Sequence, residues 1–210
     1  MTESTPPITV HIVDDEADIR DALALLLKGE QYNTEIYPSA DDFLERYEDC
    51  QSAHAVVLMD VRMPGTNGLA AHQQLIARDC SVPVVFMSGH GDIQMAVNAI
   101  QKGAFSFLEK PFNDSDLLEV VAEAGEHAAR SSAEAHHKAD VKRNLESLTA
   151  RERDVMLAVC AGHANKIIAR QLGLSPRTVE IHRARVFHKF DVDNAQQLVR
   201  QLMAAKLLDN

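Results

Sequence analysis

The sequence predicts two domains: an α/β domain with a doubly wound, five-stranded parallel sheet, then a small all-α domain of four helices. Three observations predict this. Short apolar runs alternate with helical stretches through the first half. The second half shows only helical periods, broken at Gly162, Gly173 and Ser175-Pro176. The charge also changes sign. Residues 1–124 hold 7 Lys and Arg against 21 Asp and Glu, and residues 125–210 hold 14 against 10, within a net charge of −10. An acidic half joined to a basic half fits two domains with different partners, although a solvated acidic surface accounts equally well for the first half.

The elements follow in order. Ile8–Val13 is an apolar run that reads as a strand, followed by Asp14-Asp15. A helix over 17–29, a strand over 33–37 and a helix over 40–48 come next. Ala55–Met59 is a third strand, ending at Asp60. Pro64-Gly65-Thr66-Asn67-Gly68 makes the turn into a helix over 68–78. Pro83 can open the fourth strand, 83–88, without losing a needed donor inside it. A helix over 92–102, a strand over 105–109 and a helix from 114 complete the set. Beyond Leu118 and Val121 the apolar stripe fades. Residues 123–138, with Gly125 as a breaker, read as a polar extension of the fifth helix or as a flexible tether, because Ser131-Ser132 weakens a helix. The divisions are thus a domain over 1–124, a helical linker over 125–147 and a domain over 148–210.

In the last domain Thr149 and Glu152 have capping-box spacing, with Leu148 before them and Val155 and Val159 at helical intervals. Gly162 ends that helix. Asn165–Leu172 stops at Gly173. Ser175 caps, and Pro176 opens, a helix to about Phe190. Asn194–Ala205 is the last helix.

No run approaches the roughly 18 apolar residues of a membrane span, and Met1–Pro7 has no signal-peptide pattern. A cytoplasmic protein without a membrane partner is expected. Cys50, Cys80 and Cys160 are widely spaced and read as isolated reduced thiols, not as a disulfide framework or a zinc site.

Four strands deliver polar groups at matching ends: Asp14-Asp15, Asp60, Ser88 and Glu109-Lys110-Pro111. In an open parallel sheet, chemistry sits beyond the carboxyl ends of the strands. Three carboxylates crowded there repel and call for a cation. Oxygen ligands with room for water favour Mg²⁺. Such an ion lets a phosphoryl group approach Asp60, with Lys110 as a point charge and Ser88 as a hydrogen-bonding hydroxyl. A single acid at a strand end is ordinarily a solvated loop residue; the matched set points to phosphoryl transfer.

Val13-Asp14-Asp15, Met59-Asp60-Val61-Arg62-Met63-Pro64-Gly65, Met87-Ser88-Gly89-His90-Gly91-Asp92 and Phe107-Leu108-Glu109-Lys110-Pro111-Phe112 resemble the receiver domain of two-component response regulators. The resemblance covers 8–124 and implies a flavodoxin-like sheet of order 2-1-3-4-5. It implies that Asp60 accepts a phosphoryl group from a sensor histidine kinase. Asp15 and Asp60 would bind Mg²⁺ directly, Asp14 through water and Arg62 through its backbone carbonyl. It also implies a cis Lys110–Pro111 bond, a hydroxyl–aromatic switch pair at Ser88 and Phe107, and tuning of phosphoryl lifetime by Arg62 and His90. Phe107 taken alone reads as core. Chemistry on free substrates is the weaker alternative, since nothing beyond the aspartates forms a substrate pocket.

In the basic half, the helix 176–190 places Val179, Val186 and Phe190 on one side as a core stripe. The opposite side carries Arg177, Ile181, Ala184 and His188, flanked by Glu180 and Arg185. In a major groove Ile181 could touch a thymine methyl, Glu180 accept from cytosine and Arg185 donate to guanine; Ile181 is otherwise a scattered surface residue. Thr178, His182, Arg183 and Lys189 flank that face, where phosphates pass. The helix before it, with Asn165 and Lys166 placed to touch backbone, makes a helix-turn-helix.

Leu148-Thr149-Ala150-Arg151-Glu152, Asn165-Lys166-Ile167-Ile168-Ala169 and Ser175-Pro176-Arg177-Thr178-Val179-Glu180-Ile181-His182-Arg183 resemble the LuxR-type DNA-binding domain. Together with the receiver, the chain resembles a NarL/FixJ-type response regulator of the FixJ-like branch. The resemblance implies a transcription regulator, not an enzyme, that dimerises on phosphorylation, binds double-stranded promoter DNA and meets RNA polymerase. Glu180 stands where some relatives have lysine. The alternative is a phosphate sink whose C-terminal domain binds a protein. His127, His136 and His137 read as a solvated linker face, with a metal or pH role as the sharper alternative.

Overall fold

Five parallel strands form one sheet of order β2-β1-β3-β4-β5, from β1 (Thr9–Val13), β2 (Asn33–Tyr37), β3 (Ala55–Asp60), β4 (Val84–Ser88) and β5 (Ser106–Glu109). The computed structural model describes residues 7–48, 50, 52–89 and 93–207. His90, Gly91 and Asp92, including the expected start of the fourth helix, lie outside the described residues. Four helices alternate with the strands: α1 (Ala17–Gly29), α2 (Ala40–Arg46), α3 (Gly68–Ala77) and α4 (Ile93–Gln101). A fifth, α5 (Asp114–Glu146), follows β5.

The strand sequences are near-continuous apolar runs because helices cover both faces of the sheet. All of β3 and β4 is buried, whereas β2, at the edge, exposes Asn33, Glu35 and Ile36. Side chains alternate between the faces. Val13, Val57, Met59 and Phe86 pack on Phe43 and Leu44 of α2 and Ala71 and Leu75 of α3. Ile12, Val56, Leu58 and Met87 pack on Leu23 and Leu27 of α1 and Leu117 and Val121 of α5. The register pairs Val13 with Met59, Asp60 with Met87, and Ser88 with Glu109. Successive strands therefore end nearly level, and the residues just beyond them share one edge. The sheet order reverses direction at β1 and β3, which opens a crevice over that edge.

The chain divides into two compact units, Met1–Ala133 and Glu134–Asn210. Residues 123–138 are helical: α5 runs through Gly125 and Ser131-Ser132 unbroken. It gives Ala124 and Ala128 to the buried residues of the first unit and Val141 and Leu145 to the core of the second. The second unit continues with α6 (Ala150–Cys160), α7 (Asn165–Leu172), α8 (Pro176–Phe190) and α9 (Ala195–Ala204). Thr149 and Glu152 close the expected capping box, Gly173 ends α7 in the left-handed conformation, and Ser175 caps α8.

One expectation fails. Cys50 and Cys80 form a disulfide with Cα atoms 4.3 Å apart; Cys160 alone is free. The loops entering β3 and β4 lie side by side because those strands are neighbours, and Ser81 N–H donates to the Cys50 carbonyl at 3.0 Å. A separation of 30 residues carries no local signal of that pairing. No helix among the described residues is long and apolar enough to cross a membrane.

Candidate functional site

Lys110 joins the strand ends. Its Nζ lies 2.7 Å from Asp14 Oδ2 and 2.8 Å from Asp60 Oδ1. Asp14 follows β1, Asp60 closes β3 and Lys110 follows β5, so three separate strands build this contact. Asp14 is fully buried and Asp60 nearly so. The remaining oxygens are occupied as well: Glu16 N–H donates to Asp14 Oδ1 at 2.9 Å and Arg62 N–H to Asp60 Oδ2 at 2.6 Å. Arg20 Nη1 adds a bond to the Asp14 carbonyl at 2.6 Å, a support with no motif in the sequence. A Cβ on Gly68 would collide with the Asp60 carbonyl oxygen, so the turn after Asp60 closes this tightly only with glycine.

The electrostatics follow from burial and pairing. Burial pushes the Asp60 carboxyl above its usual range, and Asp14 adds to this; Lys110 and the Arg62 amide oppose it without cancelling it. For Lys110 burial acts downward, but the two carboxylates together outweigh it and hold the ammonium above its usual value. The raised lysine keeps its charge and offsets part of the cost of burying the Asp60 carboxylate.

Three carboxylates were expected to meet here; two do. Asp14 turns inward and Asp15 is exposed, as consecutive residues leaving a strand point to opposite sides. Among the described residues no group of three or more His, Cys, Asp or Glu side chains is placed to hold a metal ion. The donor chemistry still fits Mg²⁺, which binds through one or two carboxylates and fills its shell with water and phosphate oxygen. Asp60, Asp14, Asp15 and the Arg62 carbonyl are the groups available to it.

Ser88 is buried at the end of β4, and its carbonyl accepts from Lys110 N–H at 2.8 Å. Phe86 pairs with Phe107 and Ser88 with Glu109, so Ser88 and Phe107 lie on the same face of the sheet. Phe107 packs half-buried against the core of that face. The Lys110–Pro111 bond is cis.

In the second unit, Val179, Val186 and Phe190 of α8 are buried in the core. The outer face carries Arg177, Glu180, Ile181, Ala184, Arg185 and His188, all exposed. Arg177 pairs with Glu180 at 3.3 Å across one turn. Lys166 and Arg185 have no ion pair among the described residues. Three of the other expected phosphate contacts also bond within the unit. Arg183 donates to Asn165 Oδ1 at 3.0 Å, tying α8 to α7, and lies over the Phe187 ring. The Thr178 hydroxyl shares its hydrogen bond with the Ser175 cap at 2.8 Å. His182 keeps its Nδ1 buried without a partner. Lys189 Nζ bonds Glu152 Oε2 at 2.8 Å and the Ser147 carbonyl at 2.6 Å. That placement answers to a buried acid on α6, which helical spacing along α8 does not reveal.

Comparison with known proteins agrees with both units. Residues 10–122 match the response regulator receiver domain, and residues 146–202 match the bacterial regulatory proteins of the luxR family. The chain is 39% identical over 196 residues to the transcriptional regulatory protein FixJ of Rhizobium meliloti, covering 93% of this chain and 95% of that protein. The structure of the response regulator StyR superposes with a TM-score of 0.85 at 33% identity, covering 94% of this chain and 99% of that one. Full-length FixJ from B. japonicum gives 0.58 at 35% identity over 98% and 100% of the two chains. The chain therefore belongs to the response regulators of two-component systems, in the FixJ-like group that joins a receiver to a LuxR-type DNA-binding domain and regulates transcription.

Proposed function

We propose that Asp60 accepts a phosphoryl group from the phosphohistidine of a sensor histidine kinase, and that the modified chain dimerises and binds promoter DNA. The observation that carries this is the single ammonium of Lys110 shared by Asp14 and Asp60, at the level end of three strands. In the transfer an Asp60 oxygen forms the new O–P bond while the N–P bond breaks and the imidazole leaves. Bound Mg²⁺ supplies charge neutralisation between the carboxylates and the incoming phosphoryl oxygens. Lys110 favours the ionised form of Asp60 and is the cation within reach of the arriving group. The Arg62 amide fixes the carboxylate plane by holding Oδ2.

The phosphoryl group brings about 1.5–2 negative charges. The Ser88 hydroxyl is drawn toward it, and Phe107, on the same face, turns into the vacated space. The face built by α4 and β5 changes shape and pairs with a second copy. Two readers at fixed spacing then gain affinity through effective concentration. On each, Lys166 and Arg185 meet DNA with the exposed face of α8, while Arg177 and Glu180 approach base edges as a pair. RNA polymerase is the partner at the promoter.

The test uses the full chain, Mg²⁺ and acetyl phosphate. Intact mass should rise by one phosphoryl group in the wild type and not in Asp60→Asn, and only the wild type should dimerise. A phosphorylated Asp60→Asn protein overturns the assignment. Sequence-specific DNA binding that weakens steeply with salt separates a DNA reader from a protein-binding module.

A further inference from the structure

The loop between β3 and α3 touches Asp60 with its own backbone. Its first part, Val61 and Arg62, carries the amide that holds Asp60 Oδ2 and the carbonyl available to a cation. Gly68 N–H closes the turn on the Val61 carbonyl at 3.1 Å. Asn67 caps α3 by accepting from Ala70 N–H at 2.9 Å, which fixes the loop's far end. Between these points stands Thr66, and its partner comes from another part of the chain. Asp41 Oδ1 accepts from the Thr66 hydroxyl at 2.5 Å, and Asp41 Oδ2 accepts from Thr66 N–H at 3.4 Å. Both carboxylate oxygens are spent on one residue, 25 positions away. The fit leaves no room between them: a Cβ on Gly65, where φ is +76°, would stand 2.8 Å from Asp41 Oδ2.

Asp41 is itself held firmly. It lies in the first turn of α2, which Ser39 caps by accepting from Asp42 N–H at 3.1 Å. Phe43 buries the opposite side of that helix, Leu44 is buried as well, and Arg78 Nη1 donates to the Leu44 carbonyl at 2.7 Å. A rigid helix start thus presents a bidentate acceptor to the loop that frames Asp60.

We propose that Asp41 is a positioning residue for phosphoryl acceptance: by latching Thr66 it holds the β3–α3 loop so that the Arg62 backbone stays registered on Asp60. This rests on the reading of Asp60 given above. The latch is exposed to solvent, and exposed polar pairs add little to global stability. Its loss is therefore felt in the loop before it is felt in the fold.

Three full-length variants test this: Asp41→Ala, Thr66→Val and the double substitution. Thr66→Val keeps the carboxylate charge, so it separates the latch from simple electrostatics. Each single variant should bind Mg²⁺ alone, measured by calorimetry, about three- to ten-fold more weakly, the scale of one hydrogen bond. Backbone hydrogen exchange at Arg62 and Thr66 should speed up while the melting temperature stays unchanged. The double variant should be no worse than Asp41→Ala alone, since removing the carboxylate already breaks the bond that Thr66→Val removes. Wild-type Mg²⁺ affinity in Thr66→Val, or additive losses in the double variant, would overturn the latch. The wild-type chain labelled by acetyl phosphate, with Asp60→Asn unlabelled, serves as the control. If that control fails, the reading of Asp60 has failed; if it holds and the loop is indifferent to Asp41, the latch alone has failed.

Discussion

Replacing Lys189 by Met removes the cation from a buried acid, and the structure gives the sign of the result. Glu152 is 3% exposed and accepts from Thr149 N–H at 2.9 Å and from Lys189 Nζ at 2.8 Å. Lys189, with the Thr149 cap helping, holds the Glu152 carboxyl down to about 2 from 4.5. A depression of that extent corresponds to roughly 3 kcal/mol. The Lys189 side chain is 31% exposed, so water can replace part of its effect, and the Thr149 bonds survive the substitution. We expect a loss of about 1–2 kcal/mol, below the 3–5 typical of breaking a fully buried pair. For a unit of this size that lowers the melting temperature by roughly 5–15 °C. The folded-state value lies below the unfolded one, so the pair stabilises above pH 4.5 and its contribution fades as pH falls toward about 2. Urea unfolding of the full chain should thus show the variant's deficit in full at pH 7, narrowing below pH 4.5. Lys189 was also expected to meet phosphate. Were that its main work, stability would hold while the slope of log affinity against log salt fell by about 0.9. Unchanged stability at pH 7 with a reduced slope would refute the structural assignment.

Arg185→Ala should relax discrimination at one base pair by about 1–3 kcal/mol, read by competition among operator variants; an unchanged sequence preference removes Arg185 from the base-reading set. Reducing the Cys50–Cys80 disulfide, or replacing both cysteines by serine, should lower the stability of the first unit by about 3–4 kcal/mol, from the closure entropy of a loop of 30 residues. Urea midpoints that do not move on reduction contradict that expectation.

Local periodicity made the elements legible. Apolar runs of strand length, the Thr149–Glu152 capping box and the Ser175-Pro176 start are all written within a few residues, and the structure has each of them. The strand-end motifs located Asp14, Asp60 and Lys110 because parallel strands of similar length end level. Contacts set by the packing of distant elements left no such trace. Asp41 reaches Thr66 only once α2 lies beside the β3–α3 loop. Cys50 finds Cys80 only because β3 and β4 are neighbours. Helical spacing gives the face of Lys189 on α8 but not the acid, 37 residues earlier, that it meets on α6. Asp14 and Asp15 stand together in the sequence, and adjacency hides that one is buried and the other exposed.

The same placement of Lys110 explains how a local charge can be felt at β4. The side chain of Lys110 is shared by two carboxylates, while its backbone N–H is bonded to the Ser88 carbonyl at 2.8 Å. On the proposed function, a phosphoryl group of charge about −1.5 to −2 competes with Asp14 and Asp60 for this one ammonium. On the proposed function, phosphorylation must therefore redistribute the cation between Asp14 and the new oxygens. Any backbone shift that accompanies this is delivered to Ser88 by a single hydrogen bond, without an intervening side chain. Phe107, half-buried on the same face, is the bulky neighbour. Lys110→Arg would keep the positive charge but spread it over a planar fork that does not reproduce the point contact at 2.7 and 2.8 Å. On the proposed function, Lys110→Arg should therefore weaken the phosphorylation-dependent response although it keeps the charge, because the compact ammonium sits on a stem whose backbone is tied to β4.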